Sequence, residues 1–172
     1  MFLKHRSHSV EQLDNFELQG PILQNTLHEL GHINRLFGNI KTVKRTIWQE
    51  MGKAQLQKAT IVDLVCGGGD VLAALAQSAQ GKGYALELIG IDGNPASLAY
   101  AETKYAHFPE LRFQQADISH PGFQVPACDF LISSHFLYHF ADEELPTFLQ
   151  KQLKGVRVAA IFSELDRHFI AL

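Results

Sequence analysis

Apolar residues fall into two kinds of pattern along this chain. Between residues 20 and 55 they recur at helical spacing: Leu23, Leu27, Leu30, Ile33 and Phe37, then Ile40, Val43, Ile47 and Met51 after a break at Gly38-Asn39. Two amphipathic helices are predicted there, after a looser lead-in. From residue 60 onward the apolar positions come as short β-branched runs near 60–65, 86–92, 111–116, 128–134 and 156–162. These read as five buried strands, with helical patterns between them such as Val71, Leu72, Leu75 and Ala76. Strands alternating with helices predict a parallel sheet in an α/β domain. Asn94 before Pro95 is a cap followed by a first helical position, and Pro21 marks another plausible helix start.

The first of these strands runs into glycines. Ile61-Val62-Asp63-Leu64-Val65-Cys66-Gly67-Gly68-Gly69-Asp70 leads into a helix, and the next strand, Leu88-Ile89-Gly90-Ile91-Asp92, ends in a carboxylate 23 residues after Gly69. Glycines let backbone approach a ligand, the helix N-terminus behind them offers unpaired N–H groups, and an acid at the end of the second strand can hold two ribose hydroxyls. A dinucleotide loop reads G-x-G-x-x-G, and here Leu72 stands where the last glycine belongs, so NAD is disfavoured.

The segment instead resembles motif I of the class I S-adenosylmethionine-dependent methyltransferases, D-x-G-x-G-x-G. Asp63, Gly67 and Gly69 match, and Val65 replaces the first glycine. The resemblance continues in order to about residue 168. Phe113-Gln114-Gln115-Ala116-Asp117-Ile118 is similar to the third strand and its acid, which implies that Asp117 accepts from the adenine amine and Ile118 packs on the ring. Cys128 through Phe140 resembles the fourth strand and the loop where the methyl is presented, and Ser163 to His168 begins the loop beyond the fifth. The fold so implied is a Rossmann-like three-layer α/β sandwich, mainly parallel, with strand order 3-2-1-4-5 and the ligand at the strands' carboxyl ends. The organisation is one compact unit: an N-terminal helical cap over 1–57 and a cofactor-binding domain over 58–172. By this resemblance S-adenosyl-L-methionine is the cofactor, held by Asp63, Val65, Cys66, Gly67, Gly69, Asp92, Gly93, Asp117, Ile118 and Ser133. The N-terminal helices would lie over the cleft, with Asn34, Arg35 and Trp48 as candidates to face it.

The expected reaction is methyl transfer to a small-molecule acceptor. For a hydroxyl acceptor a base is needed, and His135 and His139 are the candidates, with His168 behind them. Phe136, Tyr138, Phe140 and Phe148 suit a flat, greasy acceptor of phenolic, quinone-like or polyketide type. A different-class alternative is a catalytically silent cofactor-binding or scaffold protein. A second is a zinc metallopeptidase, because His28-Glu29-Leu30-Gly31-His32 matches H-E-x-x-H with Glu50 downstream as a conceivable third ligand. That reading leaves the glycine loop, Asp92 and Asp117 without a role, so no metal is expected.

Composition narrows the setting. The 172 residues, 46% hydrophobic, suffice for a single core, and no apolar run approaches the ~18 residues of a membrane span. With no span and no signal peptide, no membrane partner is expected. Two cysteines, Cys66 and Cys128, do not make a disulfide framework, which points to a reducing cytoplasm. A formal charge of -3 gives no basic face for nucleic acid, and Lys41, Lys44 and Arg45 read as a solvated helix face. Relatives of this type add two strands after the fifth. The edge of the fifth strand is therefore expected to be covered either by chain beyond Leu172 or by a second subunit in a homo-oligomer.

Overall fold

The computed structural model describes residues 17–164. Helices α1 (Gly20–Leu36) and α2 (Asn39–Lys53) form a hairpin whose elbow is Phe37-Gly38. There follow β1 (Lys58–Leu64), α3 (Asp70–Gln80), β2 (Ala85–Asp92), α4 (Pro95–Lys104), β3 (Leu111–Gln115), β4 (Cys128–Ser134), α5 (Leu145–Gln152) and β5 (Val156–Ser163). The strands form one parallel sheet in the order β3-β2-β1-β4-β5, the order implied by the sequence motifs.

The two faces of the sheet bury alternate residues of the same strands, as the period-2 geometry of a strand requires. Ile61 of β1, Leu88 of β2 and Phe130 and Ile132 of β4 pack with Val43, Ile47 and Met51 of α2 and with Leu72 and Leu75 of α3. Val62 and Leu64 of β1, Ile91 and Leu131 pack on the other face with Ile118 and Val125, against which Phe123 and Phe148 lie. Helix α2 is thus a full partner of the sheet, lying against β4 and β5, whereas α1 contacts α2 and α4. The crossover from β3 to β4, residues 116–127, contains no helix, so the second face is covered by that loop and the short α5.

Two positions on and just beyond α1 depart from the expected core. Leu23 and Leu27 are buried, but Ile33 and Phe37 face solvent, because the inner face of α1 turns about Gly31 instead. A side chain at Gly31 would meet the Asp70 carboxylate at 2.8 Å, so only glycine lets α1 settle this close to α3. Trp48 lies in the α2 core, stacked on Tyr84 at 5.3 Å, and is not a cleft residue. Among the described residues β5 is an edge strand. Its Arg157 Nε donates to Asp129 Oδ1 at 2.7 Å, while Asp129 Oδ2 accepts from the Thr60 amide at 2.8 Å, fastening β1, β4 and β5 at their starts.

Gly90, mid-strand in β2, is held to glycine by the packing around it. An added Cβ would lie 2.7 Å from the Phe113 ring and 2.8 Å from Cys66 Sγ. Gly90→Ala is therefore expected to cost about 1–3 kcal/mol through overpacking, read as a lower urea midpoint at unchanged slope. A wild-type midpoint would show that this contact is loose.

Candidate functional site

The carboxyl ends of β1 and β2 are joined through one side chain. After Leu64 the backbone turns left-handed at Val65 (φ 56°), Gly67 (φ 52°) and Gly69 (φ 73°) before α3 begins. Glycine takes this conformation freely, but a β-branched residue there stores strain, of order 1–3 kcal/mol. Val65 holds it because the loop is fastened from several sides: Cys66 N donates to Ile91 O, Gly69 N to Cys66 O, and Gly67 N to Asp92 Oδ2 at 2.9 Å. The other oxygen of Asp92 accepts from Asn94 N at 2.9 Å, and Asn94 Oδ1 in turn caps α4 through Ala96 N and Ser97 N.

Around this junction lies a cavity of about 500 Å³. Its walls are the Val65–Gly68 loop, the ends of β1 and β2 at Asp63, Asp92 and Gly93, the turn at Asp117–Ser119, and the segment after β4 from Ser134 to Phe140. Leu27, Leu30, Gly31 and Asn34 of α1 complete it. Asp63 is 3% exposed, and no donor of the described residues reaches its carboxylate. Burial, and then the neighbouring Asp92, push its pKa well up. Asp92 is also raised by burial, against the lowering effect of the amides of Asn94, Gly67 and Gly93. Asp117 is exposed and held below the usual carboxylate range by Ser119, whose hydroxyl and amide both donate to its Oδ1, at 2.6 and 2.9 Å.

The segment after β4 carries a second strained residue. His135 has φ 55°, its amide donates to Ser163 O at 2.8 Å, and its side chain lines the cavity while the ring Nδ1, shielded from solvent, has no partner. The adjoining turn, Leu137–His139, is capped by Glu164, whose Oε1 accepts from Phe136 N and Leu137 N at 3.1 and 2.9 Å. Phe136 meets Phe140 edge to face at 5.3 Å, and Phe140 leans on Phe148 at 4.2 Å.

Most of the expected residues therefore meet in one place, but Gly69, Ser133, Arg35, Trp48 and Phe148 are not on its wall. Gly69 is off the wall: its Cα faces the Phe113 ring, which an added Cβ would meet at 2.9 Å. Ser133 alternates inward, and Ser134 takes the cavity position. Arg35 turns to Asp70. His168 lies outside the described residues. The Cys66 thiol sits on the wall beside Gly90, its pKa pushed well up by burial and by Asp92 and Asp63, so it stays a neutral packing group. His28 and His32 are exposed with Nε2 atoms 3.3 Å apart, and among the described residues no group of three His, Cys, Asp or Glu side chains is placed to hold a metal.

Asp70, Ser134 and Glu164 were not anticipated. Asp70, 6% exposed, accepts from Tyr105 Oη at 2.8 Å, Lys104 Nζ at 3.2 Å and Arg35 Nη2 at 3.4 Å, pinning α1 and α4 to the start of α3. Burial and this carboxylate push Tyr105 up to about 12. An acid in the first turn of a helix directly behind a glycine loop, with a glycine four residues before an arginine on α1, was the available signal.

Residues 61–157, more than half of the chain, match the sequence model of the methyltransferase domain. The chain belongs to this family. It is that of the class I S-adenosylmethionine-dependent methyltransferases, whose cofactor is S-adenosylmethionine. Among curated proteins the domain is similar to a 2-phytyl-1,4-naphtoquinone methyltransferase of Thermosynechococcus vestitus, 34% identical over 74 residues, which are 41% of this chain and 32% of that protein. Its fold is like that of an S-adenosylmethionine-dependent methyltransferase of Clostridium acetobutylicum: TM-score 0.60, 17% identity, 78% of this chain and 56% of that one. A methyltransferase structure from Methanococcus maripaludis gives TM-score 0.57 at 14% identity, with 86% of this chain and 66% of that one covered. The chain thus spans about a third of the curated relative's length.

The cavity of this methyltransferase domain carries an open carboxylate. Asp63 is buried, without a donor and on the cavity wall, which suits a cationic ligand. Because its folded pKa is raised above the ordinary 3.8, the native state binds the extra proton. Stability from this group is present below the unfolded value and is lost as pH rises through the folded value. Asp63→Asn without ligand is expected to be more stable than wild type at pH 8, by about 1 kcal/mol or more, roughly 2–4 °C in Tm. The gap should close as pH falls toward 3.8, and thermal melts across pH check it. A variant less stable than wild type at pH 8 would mean that Asp63 is already paired.

Proposed function

We propose that this chain carries out S-adenosylmethionine-dependent methyl transfer to a small aromatic acceptor bearing a hydroxyl. The observation that carries this reading is that Asp63, a buried acid whose carboxylate no donor of the described residues reaches, and the ring of His135 line one cavity of about 500 Å³.

Asp63 would pair with the cation of the cofactor, which supplies an already activated methyl group on its sulfonium. Asp92 would take the ribose hydroxyls with the acceptor capacity that the amides of Gly67 and Asn94 leave, Gly93 lying beside it. Gly67 and Cys66 bring backbone to the cavity wall, and the Val65 side chain narrows the same face. Asp117, whose Oδ1 is taken by Ser119, has Oδ2 for the adenine amine, with Ile118 under the ring. The enzyme's task is then to hold acceptor and methyl in line and to remove one proton.

His135 fits the second task. Its backbone is pinned by Ser163 and the Glu164-capped turn, so the ring is held on the cavity wall, where the imidazole would take the acceptor's hydroxyl proton. His139, exposed at the rim, is the second candidate and the route by which that proton reaches solvent. Phe136, Tyr138 and Phe140 offer ring faces to a flat acceptor. The naphtoquinone in the name of the curated relative supports an acceptor of this shape.

Titration calorimetry and transfer of labelled methyl to a panel of phenols and hydroquinones test the proposal. Asp63→Asn is expected to weaken S-adenosylmethionine roughly 10–150-fold, the loss of a hydrogen bond to a charged group. His135→Ala should keep affinity within about threefold and lower kcat ~10²–10⁴-fold. Binding without turnover on any acceptor would favour a silent cofactor-binding protein. No wild-type binding at millimolar cofactor would overturn the assignment.

A further inference from the structure

Helix α1 is apolar on both sides. Its inner side lines the cavity through Leu27, Leu30 and Gly31, yet Ile22, Ile33, Leu36 and Phe37 on and just beyond it are 61%, 38%, 82% and 73% exposed. These are four of the six exposed large apolar side chains among the described residues. At the helical advance of ~100° per residue they fall within an arc of roughly 100°, opposite Leu27 and Gly31, and the stripe ends at the Phe37-Gly38 elbow.

Beside the elbow stands the basic cluster. No acid occurs between Glu29 and Glu50, while Arg35, Lys41, Lys44 and Arg45 do, in a chain whose formal charge is -3. Lys41 is one helical turn from the elbow and Arg45 two, on the exposed side of α2. No carboxylate of the described residues pairs with Lys41, Lys44 or Arg45. Exposed Leu and Phe at a tip, flanked by unpaired cations, match a surface that sinks apolar side chains to the acyl boundary while its cations stay among anionic headgroups.

We propose that the α1–α2 elbow docks this protein on an anionic bilayer surface, with Leu36 and Phe37 inserted and Lys41, Lys44 and Arg45 on the headgroups. The helix that meets the bilayer with one face closes the cavity with the other, so an acceptor dissolved in the lipid enters under α1. This last step rests on the acceptor reading above. The docking itself does not. Among the described residues no helix is long and apolar enough to cross a membrane, and surface attachment needs none.

Sedimentation of the full chain with vesicles tests the docking without cofactor or turnover. Wild type is expected to pellet with phosphatidylcholine vesicles that contain phosphatidylglycerol and to stay in solution with phosphatidylcholine alone. Binding should fall roughly tenfold or more in Lys41→Glu/Arg45→Glu and in salt of about 0.5 M. Leu36→Ser/Phe37→Ser should abolish pelleting while retaining the wild-type melt and S-adenosylmethionine affinity. Equal pelleting with both vesicle types, or none with either, overturns the proposal. So does a concentration-dependent dimer that Leu36→Ser/Phe37→Ser dissociates, with no vesicle binding, since the stripe is then the seat of a second copy. If docking holds and cofactor binding fails, the surface stands and the functional reading falls.

Discussion

The buried carboxylate of Asp92 is the point on which the site depends. Its two oxygens accept from the amides of Gly67 and Asn94, so one side chain at the end of β2 fixes both the loop after β1 and the start of α4. A carboxylate taken out of water needs such donors to stay charged, and backbone amides provide them without further side chains. Because β1 and β2 are paired in register up to Leu64 and Ile91, the fastening falls at the one level of the sheet where both strands end. The left-handed turn at Val65 persists within that frame, where an isolated peptide of the same sequence would relax.

A second carboxylate is used in the opposite sense. Asp63 is as deeply buried as Asp92 but is reached by no donor of the described residues, and the neighbouring Asp92 adds to its cost of ionisation. Stability and binding thus pull in different directions at one residue: the group that weakens the empty protein is the one best placed to meet a cation. Asp70 completes the set with a third arrangement, in which Lys104, Arg35 and Tyr105 surround the charge and α1 is drawn over the cavity. Three acids within one βα junction serve as a fastener, an open seat and an anchor, and what separates them is only which donors lie within reach.

Helix α1 links this junction to the outside of the molecule. It touches α2 and α4 but makes no substantial contact with the sheet, and Gly31 allows it to approach Asp70 where any side chain would hold it off. Its position over the cavity therefore rests on a few polar contacts and Leu23 and Leu27, not on a wide apolar face. The exposed stripe on its far side is the counterpart of that sparse packing.

The strands, the glycine loop, the carboxylate at Asp92 and the cap at Asn94 were legible in the sequence because each depends on local rules: strand and helix periods, left-handed glycine, a side chain two residues from the amide it caps; the order of the strands was implied only by the family resemblance of the motifs. The two-helix lead-in was legible for the same reason. Which face of a strand end meets the cavity was not: Ser134 and not Ser133 lies on the wall, because successive residues of a strand point to opposite sides and a one-residue difference inverts which side chain meets the cavity. Nor were the roles of Asp70 and Glu164, whose partners are 34–35 and 27–28 residues away in the chain. Helical spacing placed Ile33 and Phe37 on an apolar stripe, but periodicity states only that residues share a face. Whether that face finds a neighbour or solvent is decided by what the rest of the chain brings against it, and here the contact at Gly31 and Asp70 turned it outward.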